Sequence, residues 1–227
     1  MKIVDLTQSL YLGIKPYAAD WYPIFDIKRV MEPHNDPNGT TRTFTQHLIF
    51  PHNATHIETS LHFFPNGLTI NTLSLDILVG PALIANLSSK EIREPITSDD
   101  LIKSIGDIIQ PKSRVLIRTD YLDKYWGTEG YWDNPPYLTS DAADWLIQHE
   151  VQLVGIDCLT EEPGDKKSPV HSKLLKHNIP IIEYLKNMKS LTSREIFLIA
   201  LPILVEGVEA ATARVIAIDN SSDGLLK

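Results

Sequence analysis

The chain has 227 residues, enough for one large domain, and its 43% hydrophobic and 22% charged residues describe a folded protein able to bury a sizeable core. A net charge of -8 argues against nucleic acid as a partner, because phosphate binding needs a basic surface. No apolar run reaches membrane-spanning length, the N-terminus lacks the pattern of a secretory signal, and the lone Cys158 rules out an intrachain disulfide. The expectation is a cytoplasmic protein without a membrane partner.

In chain order, MKIVDLTQSL (1–10) predicts a first strand, and FDIKRVM (25–31) and TRTFTQHLIF (41–50) predict two more. The last alternates as a half-buried strand does. Between them, EPHNDPNGT (32–40) reads as a loop through Pro33, Pro37, Asn38 and Gly39. LSLDILVGPALIANLS (73–88) is apolar and interrupted at Gly80 and Pro81. From about Ile96, helices alternate with buried strands. ITSDDLIKSIGDIIQ (96–110) predicts a helix capped by Thr97 or Ser98, with Leu101, Ile102, Ile105, Ile108 and Ile109 at helical spacing. SRVLIRTD (113–120) predicts a buried strand and 120–140 a long aromatic loop. LTSDAADWLIQHE (138–150) repeats the capped-helix pattern, and VQLVGIDCL (151–159) is another buried strand. A short helix around 171–178, the apolar segment IPIIEYL (179–185) and strands in 195–205 and 212–219 complete the order. The class is α/β with a strand-rich N-terminal part, and a single domain over 1–227 is expected.

The chemistry concentrates in PHNATHIETSLHFFPNG (51–67), which holds His52, His56, Glu58 and His62. On a helix only His52 and His56 would share a face. On a strand all four offsets are even, so all four side chains point to one side. A straight strand would still spread them over about 33 Å and set His56 and Glu58 roughly 7 Å apart. His52 and His62 therefore join the other two only if the chain bends, and Ala54 and Ser60 sit where bending is easy. Imidazole and carboxylate ligands suit zinc, and also manganese or iron. Such an ion makes a bound water acidic enough to give hydroxide near neutral pH. The other reading is a polar loop whose histidines bind nothing.

HNATHIETSLHF resembles the signature of the metal-dependent cyclase family, His-x-Gly-Thr-His-x-Asp-x-Pro-x-His-Phe, matching at His52, Thr55, His56, His62 and Phe63. That family includes bacterial kynurenine formamidase (arylformamidase) and isatin hydrolase. VLIRTDYLDKYW, VGIDCLTEEP, HSKLLKHNIPIIEYL and LPILVEGVEAATARVIAI resemble its later blocks in the same order. The resemblance implies a swivelling β/β/α fold with a mixed sheet flanked by helices. It also implies a homodimer or homotetramer, and a site for one or two divalent ions, zinc first and manganese second. His52, His56, Glu58, His171 and Glu183 are the implied ligands, and His62 is the implied acid/base. The implied reaction is hydrolysis of a small amide by metal-bound hydroxide, with an aryl formamide such as N-formylkynurenine first and an isatin-like cyclic amide second. The alternatives are a metal-dependent lyase or cyclase, and a metal-binding member without turnover. Three positions depart from the signature: Glu58 stands for Asp, Ala54 for Gly and Ser60 for Pro.

Trp21, Tyr22, Phe63 and Phe64 can wall a pocket for a planar small-molecule substrate, with Trp21 and Phe63 as the expected contacts. Cys158 reads as an inert core thiol, Asp157 as support or a strand-end cap, and Glu161, Glu162 and Asp165 as a solvated loop. His34 and His47 carry no motif, while His149 and His177 suit helix C-termini.

Overall fold

The computed structural model describes residues 1–219 except 16, 18, 20 and 32–42. The loop expected over 32–40, with His34 in it, lies outside the described residues. β1 (Lys2–Asp5) opens the chain, and β2 (Asp26–Met31) pairs with β3 (Phe44–Leu48) in a separate antiparallel sheet. β3 is not half-buried as its alternation predicts. All five of its residues are exposed, because among the described residues the two strands pair only with each other.

β4 (His56–Glu58) is three residues long and lies between 3₁₀ turns at Pro51–Asn53 and Ser60–His62. α1 (Leu75–Leu78) then runs straight into β5 (Val79–Asn86), so Gly80 and Pro81 do not interrupt the strand. Gly80, at φ +144°, leaves room for the Arg114 guanidinium, which an added Cβ would meet at 2.7 Å. That guanidinium donates to the carbonyl oxygens of Asp76, Ile77, Val79 and Pro81, tying off the end of α1.

β6 (Pro95–Ile96) precedes α2 (Ser98–Ile105), which starts at a reciprocal capping box between Thr97 and Asp100. The helix ends at Gly106, so Ile108 and Ile109 fall in the turn beyond it. β7 (Arg114–Arg118) follows, and the expected aromatic loop contains α3 (Tyr121–Tyr125) and β8 (Tyr137–Leu138), the latter paired with β6. α4 (Ser140–Gln148), β9 (Leu153–Ile156), α5 (Pro169–Lys176), β10 (Ile181–Glu183), β11 (Glu195–Pro202) and β12 (Ala210–Asp219) complete the chain.

The main sheet runs β1-β12-β11-β5-β7-β9-β10-β4, and β4 pairs with β12 as well. Seven strands thus close on themselves, with β4 as the closing strand and β1 added along the far end of β12. β5, β7, β9 and β10 are parallel, and the other pairings are antiparallel. Alternation along each strand sorts two cores. Ile57, Ile84, Leu116, Leu153, Ile182, Leu198 and Val215 pack together inside the closed sheet. Leu83, Val115, Ile117, Val154, Ile156 and Ile181 face outward beneath α2, α4 and α5. Because both faces are covered, the parallel strands read as continuous apolar runs. This is the mixed α/β class expected from the sequence. Among the described residues, no helix is long and apolar enough to cross a membrane.

Candidate metal centre

With Ile57 turned inward, β4 turns His56 and Glu58 outward. The β10 register sets His56 opposite Glu183, so both lie on the same outer face. The 3₁₀ turns at either end of β4 supply the two bends that a straight strand lacks, and they swing His52 and His62 toward Glu58. His171 enters from the first turn of α5.

Glu58 is the hub. Its Oε1 lies 2.8 Å from His52 Nδ1 and 3.0 Å from His56 Nε2, and 3.9 Å from His62 Nε2. Its Oε2 lies 3.2 Å from His171 Nε2, which is 3.6 Å from Glu183 Oε1. Donor atoms converge in two triads that share this carboxylate: His52, His56 and Glu58 form one, and Glu58, His171 and Glu183 the other. A third group, His52, His62 and Glu209, lies toward the pocket.

Groups around this ring hold its members in place. His56 Nδ1 donates to the Ala54 carbonyl oxygen at 2.7 Å. Thr160 donates from both N–H and Oγ1 to Glu183 Oε1. Glu161 Oε1 accepts from the backbone N–H of His171 and lies 2.9 Å from His171 Nδ1, so one carboxylate caps α5 and orients its histidine. His52 Nε2 lies 3.3 Å from Glu209 Oε1, and the Tyr22 hydroxyl donates to the His52 carbonyl oxygen.

The buried charges compensate one another. Burial works against an ionised Glu58, but the charge of His171 and the hydrogen bonds from His52 and His56 outweigh burial and hold the carboxyl well below its usual range. Burial likewise opposes a charged His171, yet Glu58 and Glu161 raise it well above an ordinary imidazole. His52, opposed by burial but bonded to Glu209 and Glu58, is raised to about 9. His62 is lowered, chiefly by burial, and its imidazole is neutral at neutral pH.

These residues fit a divalent cation on one particular observation. Glu58 Oε2 is buried at the centre of the ring and has no hydrogen-bond partner, although such atoms are almost always satisfied. Histidine nitrogen and carboxylate oxygen are the donors zinc, manganese and iron accept. One or two such ions could sit in the triads.

A cavity of about 630 Å³ opens over the ring, walled by Tyr17, Trp21, Tyr22, Phe50, His62 and Glu209 among others. Trp21 thus stands in the wall, with its side chain largely exposed. Phe63 stands elsewhere: it stacks on the His171 ring at 5.6 Å and packs toward the outer core. Glu161 is buried and bonded, not the solvated residue its acidic neighbours suggest, because the start of α5 folds over it. Glu161 and Glu209 are the residues that sequence reasoning passed over. Glu161 stood in a noted acidic patch, and Glu209 in a noted C-terminal block, but neither carried a spacing signal. Cys158 is buried with its thiol pushed well up by burial, and Asp157 accepts from Thr119 and Asp120. His149 and His177 close helices α4 and α5, while His47 is exposed on β3.

A closed mixed sheet that gathers imidazoles and carboxylates at its seam defines a class of metal-site α/β protein. The family model Cyclase, described as "Putative cyclase", matches residues 4–163, and the chain belongs to this family. Kynurenine formamidase of Bacillus thuringiensis subsp. konkukian (strain 97-27) is 26% identical over 214 residues, spanning 94% of this chain and 95% of that one. Among solved structures, a potential metal-dependent hydrolase with cyclase activity superposes with a TM-score of 0.77 at 28% identity, covering 97% of this chain and 99% of the other. Isatin hydrolase A from Labrenzia aggregata superposes with a TM-score of 0.82 at 19% identity, covering 96% and 93%, a likeness of fold.

Proposed function

We propose that this protein is a metal-dependent hydrolase of a small aryl amide, with an aryl formamide such as N-formylkynurenine as the first substrate to try. The observation that carries the reading is the buried Glu58 Oε2, which accepts no hydrogen bond and faces His171 Nε2 at 3.2 Å where the two triads meet. His52, His56 and Glu58 would hold one ion, and Glu58, His171 and Glu183 a second, zinc first and manganese next. Bound there, a divalent ion supplies Lewis acidity toward the amide carbonyl and makes water a usable nucleophile near neutral pH.

The chain's own residues supply the rest. Tyr17, Trp21, Tyr22 and Phe50 line the cavity and take the aryl ring, placing the amide over Glu58. His62 Nε2, 3.9 Å from Glu58 Oε1, is neutral because burial lowers its proton affinity, so it is ready to accept a proton from water. It returns that proton to the departing amine nitrogen as the C–N bond breaks, leaving formate and the free aryl amine.

The test pairs metal analysis with hydrolysis of formyl-arylamines. Dialysis against EDTA should abolish turnover and added zinc or manganese should restore it. Glu58→Ala should lose metal, whereas His62→Ala should keep metal and lose about 10²- to 10⁴-fold in kcat. Hydrolysis that survives EDTA and both substitutions would sink the mechanism.

A further inference from the structure

An imidazole can offer an ion only the nitrogen that lacks a proton, so the partner of its other nitrogen decides how it binds. For His56 that partner is the Ala54 carbonyl oxygen at Nδ1, which only accepts, so Nε2 is left for the centre. For His171 it is Glu161 Oε1 at Nδ1, again leaving Nε2 for the centre. His52 is reversed. Its Nδ1 faces Glu58 Oε1 and His56 Nε2, and its Nε2 faces Glu209 Oε1.

We propose that Glu209 and Glu161 are positioning residues that each hold one histidine in a single tautomer: Glu209 fixes His52 with its proton on Nε2, and Glu161 fixes His171 with its proton on Nδ1. This rests on the metal reading above. The two carboxylates serve different triads, so each triad can be weakened alone. Glu209 is available for this role because its backbone is held independently. Its carbonyl oxygen accepts from both the N–H and the Oγ1 of Thr59, one residue beyond Glu58. Removing its side chain therefore leaves β12 and β4 paired. The side chain itself is about one-third exposed, and His52 is the hydrogen-bond partner that fixes it against the ring.

The experiment titrates zinc into the metal-free full chain against a chromophoric competitor, alongside long-range proton–nitrogen spectra of the zinc-loaded protein. Wild type should bind two equivalents, with His52 coordinating through Nδ1 and His56 and His171 through Nε2. Glu209→Ala should weaken one equivalent by about 10- to 100-fold, and Glu161→Ala should weaken the other by a similar factor. Glu209→Gln, whose amide oxygen can still accept, should recover part of the loss. Glu206→Ala removes an equal charge from the same exposed segment and should change neither affinity. Two bound equivalents with unchanged affinities in Glu209→Ala, or His52 coordinating through Nε2, would overturn this assignment alone. Wild-type protein that takes up no zinc would overturn the metal reading and this assignment with it.

Discussion

Glu58 has to satisfy three imidazoles from one side chain, and its length is what allows it. Oε1 serves His52 and His56 while Oε2 faces His171 across the ring. The motif this segment resembles carries aspartate here. An aspartate would draw the carboxylate back by one carbon–carbon bond, about 1.5 Å. β4 cannot follow, because β10 holds one edge of it and β12 the other. Glu58→Asp should therefore keep contact with His56, its neighbour on the strand, and lose reach toward His171. Zinc affinity in the triad with His171 and Glu183 should fall by at least about 10-fold, with the other triad much less affected, as a competitor titration would read. Equal affinities in both triads would mean that the extra methylene does not matter. At this scale, strand parity made the shared face of His56 and Glu58 legible, while His52 and His62 were legible only through the motif, because they sit in the 3₁₀ turns on either side of β4. Glu161 and Glu209 were not legible. One depends on how α5 begins and the other on the register that sets Ala210 opposite Glu58, and neither arrangement leaves a local trace in sequence.

At the scale of elements, local chemistry wrote the helices more clearly than the connections. A cap at Thr97 or Ser98 and the apolar stripe of α2 are visible in sequence, as are the double-sided apolar runs of β7 and β9. The brevity of β4 and the exposure of β3 are not, because both follow from which strands find neighbours. One contact between elements makes a pH prediction. Asp141, in the first turn of α4, accepts from the backbone N–H of Ser98 at the start of α2, so one helix caps the other. That hydrogen bond, first among the causes, holds the Asp141 carboxyl at about 2 against an ordinary 3.8. A depressed carboxyl stabilises the fold above its unfolded value and ceases to do so as pH falls through its folded value. Wild type should therefore exceed Asp141→Ala in urea midpoint at neutral pH, by a modest amount because the group is exposed to solvent. The gap should close between about pH 4 and about pH 2. A gap independent of pH would show that the ionised Asp141 carboxylate is not its source.

For the whole molecule, closure of the sheet is the organising fact, and sequence could not announce it. Pairing of β4 with both β10 and β12 joins residues far apart in the chain through only three residues. The proposed ligands straddle this seam: His56 and Glu58 lie on β4, Glu183 on β10 and His171 on α5. A closed sheet has no free edge at which internal strain can escape, so overpacking inside should be felt where pairing is shortest. Gly155, on β9, tests this. A Cβ there would lie 2.6 Å from Leu116 Cδ2 and 2.9 Å from Leu185 Cδ1, both fully buried. Gly155→Ala should cost about 1–3 kcal/mol, lowering Tm by roughly 2–4 °C for each kcal/mol. Backbone amides of β4 should then exchange with solvent faster than those of β7, because the three-residue seam opens first. Zinc, binding the closed form in preference to the open one, should restore protection at β4 and narrow the Tm difference from wild type, whereas EDTA should widen it. If β4 and β7 amides accelerate together and zinc leaves the difference unchanged, the seam is not the weak point, and the ligands do not bridge it in the way their placement implies.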